Sequence, residues 1–256
     1  MAFKKDSVMG TMVFIIILSL VCSFMITGTA EILKERKLVK KRDEVQQFVL
    51  KAASIDYDTS NFREIFSNRV TPRLVNLESG EFVEQENILD FDERMAAINP
   101  ETSSKPKKDI AKIKTRADNI RMFEVRDENG QLSSLVMPVY GKGLWSMIYG
   151  YLAVEPDLNT INNIVFYEHG ETPGIADFVT EPEWNALWKG KQLFDDKGNV
   201  AIKVVKGGAK AGDIHGVDGV SGATRTGLGI QKAVVFWFGA EGYQTFLTHY
   251  AKAEVK

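Results

Sequence analysis

Val8 through Ala30 is a run of 23 residues without one charged side chain. As a helix rising about 1.5 Å per residue it reaches about 35 Å, enough to cross a hydrocarbon layer about 30 Å thick. Its centre, Met12-Val13-Phe14-Ile15-Ile16-Ile17-Leu18-Ser19-Leu20-Val21, is strongly apolar, and no comparable stretch follows. The chain is therefore expected to comprise a short cytoplasmic N-terminus at 1–7, a transmembrane helix at 8–30, a connecting helix at 31–55 and a soluble domain at 56–256. A cleaved signal peptide is the other reading of the run. Lys4 and Lys5 would be its basic start, and Gly28-Thr29-Ala30 its small-residue cleavage site, but the run is longer than the usual apolar region of such a peptide. Lipid attachment at Cys22 is disfavoured, because Val21 precedes it where a small residue is wanted and Cys22 lies deep in the run.

The flanks give an orientation. Lys4 and Lys5 precede the run, whereas Lys34, Arg36, Lys37, Lys40, Lys41 and Arg42 follow it. Counted by Lys and Arg alone, this asymmetry puts the C-terminal domain in the cytoplasm. The run holds no acidic residue, so this helix alone is a poor candidate for a cation path.

Composition narrows the function classes. With 44% hydrophobic and 26% charged residues, 21 Gly and 7 Pro in 256 positions, the chain is neither collagen-like, nor disordered in bulk, nor polytopic. The net charge is −2 and the segment beyond the apolar run is weakly acidic, so no basic field awaits nucleic acid. Cys22 is the single cysteine, which excludes an intrachain disulfide and a cysteine-based metal cluster. His169, His215 and His249 show no i, i+4 spacing, so no metal site is expected.

Beyond the run, Glu31 to about Ser54 reads as a charged helix with Val45, Phe48, Val49 and Leu50 on one face. Asp92–Arg116 is charge-dense and interrupted by Pro100 and Pro106, which reads as a solvated helix and loops. From Ile120 the pattern becomes strand-like. Met122–Arg126 and Leu135–Tyr140 flank Asp127-Glu128-Asn129-Gly130, a hairpin signal in which Asn129-Gly130 supplies positive φ. Met147–Val154, Ile161–Tyr167 and Val200–Val205 read as further strands, and Pro182–Lys189 as a short helix with proline in its first turn. Leu228, Ile230, Val234, Trp237 and Phe238 mark an amphipathic helix, followed after Gly242 by a last helix over Tyr243–Lys252. Strands paired as hairpins, with helices gathered at the ends, predict an α+β fold with an antiparallel sheet.

Chemistry concentrates in Asp218-Gly219-Val220-Ser221-Gly222-Ala223-Thr224-Arg225-Thr226, directly before the amphipathic helix. Small residues let backbone approach a ligand closely. The free N–H groups of a helix start suit a phosphate. The same residues also suit a bland role, with Ser or Thr as a helix cap and the glycines as a turn. Asp218 fits either a turn cap or a carboxylate that positions a metal during cofactor attachment.

Taken as a string, Ser-Gly-Ala-Thr followed by x-Thr, three residues after an Asp, resembles the flavinylation motif of FMN-binding domains. Gly143-Leu144-Trp145-Ser146-Met147, Gly170-Glu171-Thr172-Pro173-Gly174, Lys206-Gly207-Gly208 and His215-Gly216-Val217-Asp218-Gly219 further resemble the C subunits of the Na⁺-translocating NADH:quinone oxidoreductases. So does the layout, one N-terminal helix followed by a domain with its motif near the C-terminus. The resemblance implies FMN joined by a phosphoester to Thr224, with Ser221, Gly222, Ala223 and Thr226 as motif neighbours. It implies a membrane complex with A, B, D, E and F subunits as partners, relaying electrons from NADH towards ubiquinone, and no protein residue acting catalytically on an external substrate. It also implies a separate flavin transferase, because a threonine hydroxyl does not ionise near neutral pH and no activating group adjoins Thr224 in sequence. Finally, it implies a periplasmic domain on the bacterial inner membrane, against the Lys and Arg count; a large domain can translocate despite nearby charge.

Leu144, Trp145 and Thr172 are the expected contacts to the isoalloxazine, the first two through apolar faces and Thr172 through its hydroxyl. Trp145 as a core tryptophan, Gly170–Gly174 as a plain loop and Glu171 as a solvated loop charge are the readings that compete. Two rival functions remain at this point. One is the G subunit of the related complex that couples ferredoxin and NAD. The other is a non-redox, membrane-anchored binding module whose Ser-Gly-Ala-Thr only caps a turn. A serine hydrolase fails, since Ala223 replaces the last Gly of Gly-x-Ser-x-Gly and a polar, glycine-rich segment precedes it instead of a buried strand.

Overall fold

The computed structural model describes residues 8–254, so the expected N-terminal segment 1–7 lies outside the described residues. A single helix α1 runs Val8–Ala52 without interruption. Among the described residues it alone is long and apolar enough to cross a membrane. The chain divides into two compact units, one ending at Glu44 and the other beginning at Val45.

The second unit is built on an antiparallel sheet. In chain order it contains α2 (Phe62–Arg69), β1 (Val70–Asn76), β2 (Phe82–Val83), α3 (Glu93–Ile98), β3 (Ser103–Ser104), β4 (Arg116–Ala117), β5 (Asn119–Arg126) and β6 (Leu132–Lys142). There follow β7 (Met147–Val154), β8 (Ile161–Glu168), α4 (Pro182–Ala186), β9 (Lys203–Val205), β10 (Gly216–Asp218), α5 (Thr224–Phe238) and α6 (Gln244–Glu254). Six strands pair in the order β2-β1-β5-β6-β7-β8, each pair antiparallel. The fold is α+β.

Alternation along the strands sends side chains to two apolar layers. Ile120, Met122, Leu135, Met137, Leu152, Val154 and Ile164 join Ile230, Val234 and Trp237 of α5 in one core. Phe123, Val125, Val136, Tyr151, Ala153 and Val165 meet Val49 and Leu50 from the end of α1 and Phe62 and Phe66 of α2 in the other. The sheet is thus covered on both faces, and its central strands carry long apolar runs in place of a strict alternation with polar residues.

Several local expectations are refined. The β5–β6 turn takes positive φ at Gly130 but not at Asn129. Asp127 accepts from the amides of Asn129 and Gln131 and sets a five-residue loop. The β5–β6 register stops at Phe123↔Val136, two residues before Pro138, which has no N–H to offer a ladder. The Pro138 carbonyl instead accepts from the buried Tyr243 hydroxyl at 2.6 Å. The strand expected over Val200–Val205 shortens to Lys203–Val205, because the amides of Ala201 and Ile202 both turn to the Leu193 carbonyl. On α5, Leu228 is not a core residue; it is 41% exposed, and Gly227 and Gly229 face inward beside it.

Candidate flavin site at the start of α5

Three loops converge where α5 begins. The first, 219–223, joins β10 to α5. β10 lies parallel to β9, pairing Val217 with Val204 and Asp218 with Val205, and the Gly219 amide continues the pattern by donating to the Val205 carbonyl. The chain then turns through Gly222, whose φ of +84° is left-handed and favours glycine. α5 is fixed from the side by the Gln231 carboxamide oxygen, which accepts from the Val204 amide at 2.9 Å.

The capping residue of α5 is Ala223, and no side chain caps the helix. The bland capped-turn role is therefore not what the loop adopts. Ser221 is exposed and Thr224 is half-buried as the first helical residue, and the hydroxyl of neither caps the helix. The first-turn N–H groups of a helix have no intrahelical partner, so this end offers donors and a partial positive charge to an anion. Asp218 is engaged elsewhere: its Oδ1 accepts from the Ala209 amide at 2.7 Å, holding the Gly207–Gly208 turn, and its carbonyl accepts from Trp184 Nε1.

The second loop, 143–146, joins β6 to β7 and is drawn tight by Gly143 N–H donating to the Ser146 carbonyl at 2.8 Å. Lys142 Nζ donates to the Trp145 carbonyl at 2.5 Å. Trp145 is 65% exposed and Leu144 37%, so Trp145 is not a core residue. The third loop follows β8. Its Gly170 amide donates to Ser146 Oγ at 2.6 Å, and the Thr172 carbonyl accepts from the Ala176 amide. Thr172 is exposed, and Ile175 nearby is 56% exposed.

Glu171 joins the pieces. Contrary to the expectation of a solvated loop charge, it is only 3% exposed. Its carboxylate accepts from the amides of Leu144 at 3.1 Å, Trp145 at 2.9 Å and Ser146 at 3.1 Å, and from Thr226 Oγ1 at 2.6 Å. Burial pushes its pKa up, but the Thr226 hydroxyl and the three amides outweigh burial and hold it below the usual carboxylate range. Thr226 is fully buried, so its hydroxyl is spent on Glu171. Sequence reasoning missed this carboxylate because its partners lie 25 to 27 and 55 residues away. No local signal in Gly170-Glu171-Thr172 marks it as buried.

Glycines let these loops close. A side chain at Gly143 would begin 2.6 Å from Glu171 Oε1, and one at Gly229 would begin 2.5 Å from the Lys142 carbonyl oxygen. Leu144, Trp145 and Thr226, with Thr224 two residues before it, are thus gathered around one carboxylate, while Ser221, Gly222 and Ala223 form the turn into the helix.

The FMN-binding domain family matches residues 143–238, from the Gly143 loop to the end of α5. Over longer stretches, the chain is 40% identical to the C subunit of the Na(+)-translocating NADH-quinone reductase of Haemophilus ducreyi, covering 97% of this chain and 96% of that one. It is 42% identical to the corresponding C subunit of Vibrio parahaemolyticus, covering 96% and 97%. The chain belongs to the C-subunit family of the Na⁺-translocating NADH-quinone reductases. The crystal structure of Shewanella oneidensis NqrC superposes with a TM-score of 0.82 at 65% identity, covering 84% of this chain and 99% of that one. Membership in the C-subunit family makes the chain part of an oxidoreductase complex and sets aside the G-subunit rival. The residues present fit FMN: an uncapped helix start for a phosphate, a threonine in the first turn, and an exposed tryptophan and leucine on a loop fixed to that turn.

Proposed function

We propose that this chain carries FMN as a phosphoester on Thr224 and relays electrons within the sodium-translocating NADH-quinone reductase. The observation that supports it most directly is the uncapped start of α5 with Thr224 in its first turn, within the segment matched by FMN-binding domains. When bound, the flavin supplies reversible uptake and release of electrons. The chain's part is to hold it. The first-turn amides and the Gly219–Ala223 turn receive the phosphate, Thr224 Oγ1 provides the ester oxygen, and Leu144, Trp145 and Thr172 line the ring. Ser221, Gly222, Ala223 and Thr226 shape the turn, and Asp218 braces the loop behind it. Among the described residues no base hydrogen-bonds the Thr224 hydroxyl, so a separate flavin transferase makes the bond. The partners are the A, B, D, E and F subunits.

The test is the mass of the tryptic peptide Ala211–Arg225 from the full chain made with its transferase. A gain of FMN less one water, localised by fragmentation to Thr224 and not Ser221, is the expected result. An unmodified peptide, with no flavin fluorescence on the denatured band, overturns the covalent flavin on Thr224.

We further propose that residues 8–30 anchor the chain once in the bacterial inner membrane, that 31–55 lead out of it and that the 56–256 domain faces the periplasm. Family membership supports that side, while the Lys and Arg count opposes it. A reporter fused after Lys256 is expected to work only outside the cytoplasm; one active only inside would reverse the orientation.

A further inference from the structure

Glu171 has more acceptor capacity, more burial and less compensation than a loop staple requires. A carboxylate 3% exposed is satisfied entirely by neutral donors, three amides and one hydroxyl. Lys142, the cation at the end of β6, gives its ammonium to the Trp145 carbonyl. His169 turns its Nδ1 to the Glu171 amide, not to the carboxylate, and Arg225 is exposed. Among the described residues the carboxylate forms no salt bridge, so its charge is poorly screened by water or a counter-charge. The four donors belong to just two places, the Leu144–Ser146 loop and the first turn of α5.

We propose that Glu171 is the positioning residue of the flavin site: its carboxylate clips the Leu144–Trp145 loop to the turn that bears Thr224, and its fixed negative charge lowers the midpoint potential of the flavin held there. The inference rests on the FMN reading. The clip acts through the protein alone. Hydrogen bonds to an ionised acceptor are stronger than neutral ones, and four of them from two segments fix the loop against the helix. The field acts on the cofactor. A reducing electron adds negative charge, which a nearby buried carboxylate disfavours and a neutral amide would not.

Three variants of the full chain separate the effects. E171Q removes the charge and part of the acceptor set. T226V removes one donor and keeps the charge. E171D keeps the charge with a shorter reach. In the chain without flavin, hydrogen exchange at 144–146 is expected to quicken about tenfold in E171Q and to quicken in T226V, with β7 and the second half of α5 unchanged. In the chain with flavin, spectroelectrochemical titration is expected to give a higher midpoint potential for E171Q and an unshifted one for T226V and E171D. Unchanged exchange at 144–146 in both E171Q and T226V overturns the clip, and T226V alone decides it if E171Q does not fold. A potential that stays put in E171Q, or moves as far in T226V, overturns the electrostatic role. Failure of the flavin reading shows separately, as a wild-type Ala211–Arg225 peptide without flavin mass, and the exchange result still stands.

Discussion

Gly227 and Gly229 lie one turn into α5, where a sequence shows only two weak helix formers side by side. Their surroundings differ. A methyl group at Gly229 would meet the Lys142 carbonyl oxygen at 2.5 Å and Gly143 Cα at 2.9 Å, whereas one at Gly227 would meet Val204 Cγ1 at 3.1 Å. Backbone cannot swing aside, but a valine methyl can yield a few tenths of an ångström. Alanine in a helix interior gains about 1 kcal/mol over glycine, and overpacking against a fixed neighbour costs about 1–3 kcal/mol. G227A is therefore expected to leave stability nearly unchanged. G229A is expected to lower the melting temperature of the second unit by several degrees, read by the fluorescence of the buried Trp184, Trp188 and Trp237. Equal melting temperatures for the two variants would mean that the Gly143 loop does not press on α5. The same contrast explains why Glu171 escapes a reading of the chain. Nothing in Gly170-Glu171-Thr172 distinguishes a buried carboxylate from a solvated one until the loop it serves is in place. Ser-Gly-Ala-Thr could be recognised because its residues are contiguous.

Among the elements, those legible from sequence are the ones whose burial follows a single period. β5 through β8 carry apolar runs bounded by turn residues, and α5 and α6 carry the helical spacing. Residues 56–91 gave no such signal. β1 reads Val-Thr-Pro-Arg-Leu-Val-Asn, and its outer neighbour β2 is two residues long, so this edge is specified by its pairing with β5 more than by its own pattern. The short α3 is similar: buried residues are absent from it, yet two ion pairs dock it, an exposed one from Arg94 to both oxygens of Glu168 at 2.9 and 2.6 Å and a buried one through Glu93. Arg121, 4% exposed on β5, donates from Nε and an Nη to both oxygens of Glu93 at 2.8 and 3.0 Å, and to the Leu89 carbonyl at 2.6 Å. Removing one partner of a buried pair strands the other and costs about 3–5 kcal/mol. E93Q is accordingly expected to destabilise the second unit by about that amount in chemical denaturation. Replacing both partners, as in the double variant E93Q with R121M, is expected to recover part of the loss. A single variant as stable as the wild type would show that α3 is held by its loops and by Arg94–Glu168, and not by this pair.

At the scale of the whole second unit, the sheet separates two apolar layers, and each contains tyrosines whose hydroxyls are kept neutral. Tyr151 and Tyr167 lie on the side of α2, and Tyr140 and Tyr243 on the side of α5. Burial raises all four above the ordinary tyrosine value, Tyr167 to about 12. In the unfolded chain they ionise near 10. A group whose folded pKa is raised contributes stability that is fully present below the unfolded value and is lost as pH climbs towards the folded one. Stability is therefore expected to hold up to about pH 10 and then to fall steeply, with four groups contributing from both faces at once. Because a strand places neighbouring side chains in opposite layers, as Met122 and Phe123 do on β5, neither layer can loosen while the other stays packed. Tyr151 and Tyr243, which are almost wholly buried, should then ionise only as the unit unfolds, one from each layer. Tyrosinate absorbance and the fluorescence of Trp184, Trp188 and Trp237, followed together through an alkaline titration, are expected to change at one midpoint for this buried set. Tryptophan emission on the α5 side changing well before the last tyrosines ionise would instead mean that the two layers open separately, and that the sheet does not couple the α5-side core to the layer beneath the end of α1.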